Sequence, residues 1–369
     1  MRHPAHLGWG HVKGVRLLSG SGEDGSSGEM SLMEDGGTRP MFFVLGRGRS
    51  GTTLLRCMLD VHPKISVPPE AMFVMLLRGR YAGVRDWDRD RIHSFCLDLW
   101  RERRLLSWHL DPADVERRLM SVAGKASFPV LCRKVYESYA AARGKNGPVL
   151  LGDKNPHYCL FAGELMELFP RSRFVHFVRD PRDNVLSFQR VGFDLNGTAA
   201  LAYRWKRYNL EVLRYSREYP DRFLLLRFED LLSDPESCLE KLCSFLGVEF
   251  DPVMLDFHAM ARDVPEWEWH GNLSRPLDPS RCYGWKDRMG QREVCVVESV
   301  CGELIDSFGY ERACPEVGVW PSVSARPGMG WGWFFTLLEK LVFALPLGLR
   351  SGVVNLYRRM TGSLPGSGR

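Results

Sequence analysis

The chain has 369 residues, 44% hydrophobic and 26% charged, enough to bury a substantial core as one large α/β domain or two small ones. Fifty basic against 45 acidic residues leave a formal charge of only +5, which argues against an extended nucleic-acid track and suits a small anionic ligand. The ten cysteines are scattered without CxxC pairs or histidines at zinc spacing, so they read as reduced core thiols, and no metal is expected.

Residues 1–40 have a Gly/Ser/Glu/Asp-rich middle, Ser19 to Gly37, and little that can pack; they read as a disordered tail. Leu17-Leu18 runs straight into Ser-Gly-Ser-Gly, so the expectation is a cytoplasmic body without a secretory signal. From Pro40 to about Arg312, short β-rich runs alternate with longer helical ones, the pattern of parallel strands joined by right-handed crossovers. Four nearly continuous apolar runs are the predicted strands: Met41 to Leu45, Val149 to Gly152, Phe174 to Arg179 and Phe223 to Phe228. Residues 73–143 read as mostly helical, with a helix start at Asp111-Pro112-Ala113-Asp114, and would cap the sheet. A helix from Ala199 to Glu218 places Leu201, Trp205, Tyr208 and Val212 on one face as core residues. Ser233-Asp234-Pro235-Glu236 opens another helix, which Gly247 closes. Near the C-terminus, Trp331 to Leu349 is densely apolar and aromatic but interrupted by Glu339-Lys340 and Pro346. That is too broken for a spanning helix. It reads first as a helix packed on its own domain or on a dimer partner, with an interfacial helix making peripheral membrane contact as the alternative.

The first predicted strand runs into Gly46-Arg47-Gly48-Arg49-Ser50-Gly51-Thr52-Thr53 and then into a helical pattern. Glycines allow a tight turn and close approach to a ligand, while the first amides of the helix present donors and a positive dipole end to an anion. The glycine spacing is that of a nucleoside-triphosphate loop, but Thr52 stands where that motif has its phosphate-bridging lysine. Gly152-Asp153-Lys154-Asn155-Pro156 ends the second predicted strand, and Val178-Arg179-Asp180-Pro181-Arg182-Asp183 ends the third, with Ser187 a helical step further on. In an open parallel sheet these strand ends face one crevice. The loop would hold one phosphate-like group, and Arg179 with Ser187 a second.

In the order and spacing of these segments the chain resembles the phosphoadenosine-phosphosulfate (PAPS)-dependent sulfotransferases, bacterial members related to the tyrosylprotein sulfotransferases. The matching stretches are Arg49-Ser50-Gly51-Thr52-Thr53, Pro68-Pro69-Glu70, Gly152 through Pro156, Phe177 through Arg182 with Ser187, Arg227-Phe228-Glu229-Asp230, and Pro276 through Trp285. The resemblance spans about residues 41–312 and leaves 313–369 as an extension. It implies a P-loop-like three-layer α/β fold with a central, mainly parallel sheet and a helical cap. It implies that Arg49, Ser50, Gly51, Thr52 and Thr53 bind the 5′-phosphosulfate, that Arg179 and Ser187 bind the 3′-phosphate, and that Glu70 and Lys154 are catalytic. Glu70 would take the acceptor's proton, and Lys154 would steady the bridging oxygen as the sulfonate departs. No metal is implied.

Three positions depart from the family pattern: Phe228 replaces a common tyrosine, and Gly284 a basic residue, for which Arg281 and Lys286 would substitute at the 5′-phosphate with Ser280 adding a hydroxyl. Met72 stands where tyrosylprotein members have an arginine that grips acidic peptides, which argues against a peptide tyrosine. The acceptor is then a carbohydrate, lipid, phenolic or other small hydroxyl compound, with Met72 to Met75 and Trp267-Glu268-Trp269-His270 either walling its pocket or serving as core. A small-molecule kinase and an inert scaffold of the same fold are the competing readings; the missing lysine counts against the first.

Overall fold

In the computed structural model of the protein, residues 40–350 are described apart from 148, 192–193, 261–272, 274, 315–318 and 346–348. All of the expected 1–40 tail but Pro40, and the Trp267 to His270 segment, lie outside the described residues. Five parallel strands, β1 (Phe42–Leu45), β2 (Ile65–Ser66), β3 (Leu150–Lys154), β4 (Arg173–Val178) and β5 (Phe223–Arg227), form one sheet in the order β2-β3-β1-β4-β5. The α/β reading with a parallel sheet holds, and the switch in strand order falls at β1. A ligand crevice belongs there, between β1 and its two neighbours, because the crossovers leave in opposite directions.

The predicted strands fall within one residue of the observed bounds apart from two differences, the end of β3 and the whole of β2. β3 continues through Asp153 and Lys154, because both pair in register with β1 (Phe43 with Asp153, Val44 with Lys154) and the ladder stabilises two polar residues the apolar run would have excluded. β2 was not predicted; two residues between prolines carry no periodic signal, and the strand exists only through its pairing with Leu150 and Leu151.

Alternation on β1 sets the layers. Phe43 and Leu45 point into a core shared with the predicted cap, α2 (Phe73–Tyr81), α3 (Arg89–Leu99), α4 (Pro112–Met120) and α5 (Phe128–Ala142), and with α6 (Ala162–Leu168) outside it. Phe42 and Val44 point to the opposite layer, built from α1 (Thr52–Asp60), α9 (Phe228–Ser233), α10 (Pro235–Leu246) and α11 (Phe257–Met260). A third apolar cluster joins α7 (Pro181–Val191), α8 (Thr198–Glu218), α12 (Trp285–Arg288), α13 (Gln291–Cys301), α14 (Glu303–Ser307) and α15 (Val319–Ala344). Leu201, Trp205, Tyr208 and Val212 are all buried, as the periodicity of α8 predicts. Asp234 caps α10 through its carboxylate, and Gly247 closes it in the left-handed conformation.

One cysteine reading is corrected. Cys295 on α13 and Cys314 form a disulfide, while the other eight are free and mostly buried. The pair is 19 residues apart, and only the turn after α14 brings the two together; no local spacing signals it.

Candidate active site

The loop after β1 is shaped by two glycines that tolerate no side chain. A Cβ on Gly46 would lie 2.3 Å from the carbonyl oxygen of Phe177 on β4. Gly51 has φ +85°, and a Cβ there would lie 2.4 Å from the Phe228 ring. Gly51 also serves as the N-cap of α1 and makes no side-chain capping bond, so the first amides of α1 stay available to an anion. Asn184 on α7 fastens the loop from behind, its amide donating to the Gly48 carbonyl (2.9 Å) and to Ser50 Oγ (3.1 Å). Nothing in the sequence reading marked Asn184, although it directly follows the run that supplied Arg179.

Charge is distributed unequally around the loop. Arg49, Arg179 and Arg281 converge on its β4 side. Arg49 Nε donates to Ser187 Oγ (3.1 Å), and Arg179 donates to the carbonyls of Arg49 (3.2 Å) and Arg281 (3.0 Å). The Arg179 guanidinium lies 4.5 Å over the Phe228 ring, and its backbone is pinned by the Trp205 indole. Burial, then the positive charges of Arg179 and Arg281, bring Arg49 down to about 10. Arg281 is lowered too, by burial and then by Arg179. Three guanidiniums that repel one another beside a hydroxyl, with Asp183 at 3.9 Å from Arg179 offsetting only part of their charge, make a site that a multiply charged anion would stabilise. Of the other proposed contacts, Ser280 donates its hydroxyl to Asp278 (2.6 Å) beside Arg281, and Lys286 is exposed over the Tyr283 ring.

On the β3 side Lys154 projects from the strand end and donates to Thr53 Oγ1 (3.2 Å) and to a Glu70 carboxylate oxygen. The other oxygen of Glu70 accepts from Arg104 (3.3 Å), and the Pro69 carbonyl accepts from the Trp108 indole (2.8 Å), which positions the Pro-Pro-Glu turn. Burial opposes ionisation of Glu70, but Lys154 and then Arg104 overcome it and hold the carboxyl at about 2. Burial lowers Lys154 from its ordinary value, although the Glu70 carboxylate pulls the other way. Strand alternation sends Asp153 to the opposite face, where Tyr136 donates to it (2.5 Å) and burial raises it to about 7 against the pull of Tyr136 and Lys154. The lysine therefore pairs with Glu70, not with its own neighbour. Met72 to Met75 are buried in the cap core, with Phe73 packed on Trp108 and Tyr136.

A second group of charges behind the loop has no counterpart in the sequence reading. Arg47, 1% exposed, pairs with Asp194 (2.7 Å), which pairs with Arg204 (2.6 Å), which pairs with Glu339 of α15 (2.6 Å). Glu339 also accepts from Tyr208 (2.7 Å) and bonds His157, three residues past Lys154. Burial opposes its ionisation, yet His157 and Arg204 hold it at about 2. Asp180, Arg182 and Glu229, from matched motifs, are likewise structural: Arg182 bridges Asp180 and Glu298, and Glu229 accepts from the Asp180 amide and the Tyr310 hydroxyl. Among the described residues no group of His, Cys, Asp and Glu could hold a metal ion.

Comparison with known proteins gives the same reading of the fold. A protein-tyrosine sulfotransferase of Drosophila melanogaster is 28% identical over 284 residues, covering 74% of this chain. The chain spans only 52% of that enzyme's length. An omega-hydroxy-beta-dihydromenaquinone-9 sulfotransferase of Mycobacterium bovis is 28% identical over 337 residues, 79% of both chains. Among solved structures, the sulfotransferase domain of the curacin biosynthetic pathway superposes with a TM-score of 0.52 at 25% identity, covering 74% of this chain and 98% of that one. The sulfotransferase domain of the Synechococcus olefin synthase, at 24% identity and the same TM-score, has the same fold. The model of the sulfotransferase family matches residues 40–252, more than half of the chain, and the chain belongs to that family.

Proposed function

We propose that this protein moves the sulfonate group of 3′-phosphoadenosine 5′-phosphosulfate to the hydroxyl of a small or lipid acceptor by in-line displacement. The observation that carries the reading is the split of charge around one lysine-free loop, with Arg49, Arg179, Arg281 and Ser187 on one side and Lys154 with Glu70 on the other. Arg49 and Arg281, expected at the 5′ group, stand beside Arg179 and Ser187, and this arginine side suits a 3′-phosphate, which a nucleoside triphosphate lacks. The loop amides match the 5′-phosphate and sulfonate, which need neither a bridging lysine nor a metal.

In this mechanism the acceptor oxygen attacks sulfur as the bond to the bridging phosphate oxygen breaks. The acceptor's proton passes to Glu70, and Lys154 neutralises the charge left on the departing bisphosphate. A carboxyl held at about 2 is a poor base, so the two roles are linked. When the Lys154 ammonium turns to the bridging oxygen, Glu70 loses its strongest partner, and its proton affinity rises as the acceptor needs it.

The acceptor is a hydroxyl on an apolar or amphiphilic molecule. One relative is named for a protein tyrosine and another for an omega-hydroxy menaquinone, and Met72 here favours the second kind over an acidic peptide. The test is transfer of labelled sulfonate from the donor to long-chain and isoprenoid alcohols, read by mass. A product heavier by one sulfonate, formed without added metal, is the expected result; phosphorylation from ATP with magnesium would replace this reading with a kinase.

A further inference from the structure

Helix α15 is two-faced. Its inner face, with Ala325, Gly332, Phe335, Thr336, Glu339 and Val342, is buried, and Cβ atoms on Gly328 and Gly332 would press against Ala199 and Ala200 of α8 within 3.0 Å. Its outer face repeats exposed apolar residues at three-to-four spacing: Val323, Pro327, Trp331, Phe334, Leu337 and Leu341, with Trp333 beside them. Trp331 and Trp333 are more than half exposed. Such a row of large side chains exceeds what an isolated surface normally presents.

Charge selects the occupant of this face. From Val319 to Arg369 the single acid is Glu339, which is buried and paired, against six cations; of these Lys340 pairs with Glu211 and Arg350 is buried on backbone carbonyls, which leaves Arg326 exposed beside the apolar row and Arg358, Arg359 and Arg369 later in the sequence. A second copy packed across a twofold axis would set one basic segment against another, a like-charge arrangement that disfavours association. An anionic bilayer offers the complement: headgroups for exposed Arg326 and for the net positive charge of the segment, and an acyl boundary for the apolar row, with tryptophans suited to the level between. No helix among the described residues is long and apolar enough to cross a membrane, so α15 would lie along the surface.

The same helix touches the two segments that carry the catalytic pair. Glu339 bonds His157, and Phe343 packs on Phe161, in the turn following Lys154. Just beyond α15, Arg350 donates to the Leu76 carbonyl of α2, the helix that begins three residues after Glu70. We infer that the outer face of α15 seats the protein on an anionic lipid surface and so brings the Glu70–Lys154 pair to an acceptor dissolved in that bilayer. The link to the acceptor rests on the sulfotransfer reading; the docking does not.

The test is flotation of the full chain with phosphatidylcholine vesicles, with and without about 30 mol per cent phosphatidylglycerol. Binding of 3′,5′-bisphosphoadenosine and the melting temperature are measured on the same samples. The wild type is expected to float with the anionic vesicles, and Trp331→Ala/Phe334→Ala/Leu341→Ala to bind them at least about 30-fold more weakly with nucleotide binding and melting unchanged. Leu341→Glu alone, a single exposed change, should weaken binding by about tenfold. Failure of the wild type to float, flotation indifferent to these substitutions, or a dimer that the triple substitution splits would overturn the docking surface. Loss of nucleotide binding in the wild type would instead strike at the sulfotransfer reading.

Discussion

Arg47 and Arg49 leave the same loop two residues apart and meet opposite surroundings. Arg47 turns inward, where Asp194 accepts its charge and a chain of ion pairs runs on through Arg204 to Glu339. Arg49 turns toward Arg179 and Arg281, which repel it, and pairs with no carboxylate among the described residues. The contrast separates two uses of one residue type. A guanidinium already satisfied by carboxylates braces the scaffold, whereas guanidiniums gathered against their mutual repulsion are set for an anion that arrives from outside.

Stability measurements probe this contrast with the largest expected effect. Arg47→Ala leaves a buried carboxylate short of a partner and should destabilise the fold by about 4 kcal/mol, while Arg49→Ala should stay within about 0.5 kcal/mol of the wild type. Urea denaturation of the two variants reads the difference, and equal losses would erase the distinction.

Asp153 supplies a pH signature from the strand that also carries Lys154. Its folded pKa, about 7, lies above the unfolded value, so its contribution is complete below about pH 4 and is lost as pH rises through 7. Asp153→Asn should therefore gain about 3 kcal/mol relative to the wild type between pH 4 and pH 7; parallel stability curves would show the carboxyl ionised throughout. Turnover should fall at least about 10²-fold in Glu70→Gln and in Lys154→Ala, with donor binding little changed in the first. Rates near wild type in either variant would remove that residue from the chemistry.

The legible parts of this molecule were those whose cause is local. Glycine spacing, the apolar run before it and the polar strand ends sit within a few residues of one another, so the loop, β1, β4 and the positions of Lys154 and Arg179 could be read along the chain. The bracing network could not, because Arg204 and Glu339 are 135 residues apart and His157 and Glu339 are 182 apart. In the sequence Glu339-Lys340 looked like an interruption of an apolar helix; in the fold Glu339 is the inward anchor and Lys340 pairs at the surface with Glu211. Asn184, which ties the loop to α7, and the Cys295–Cys314 bond were hidden for the same reason.

On the proposed function, the guanidinium cluster reads a second phosphate. Calorimetry of the full chain with 3′,5′-bisphosphoadenosine and with ADP tests it most directly, since the two differ in where the second phosphate sits. The bisphosphate should bind at least about 30-fold more tightly, and Arg179→Ala should remove most of that margin while leaving ADP binding nearly unchanged. Equal affinity for the two nucleotides in the wild type, or a margin that survives Arg179→Ala, would mean that the cluster does not hold the 3′-phosphate.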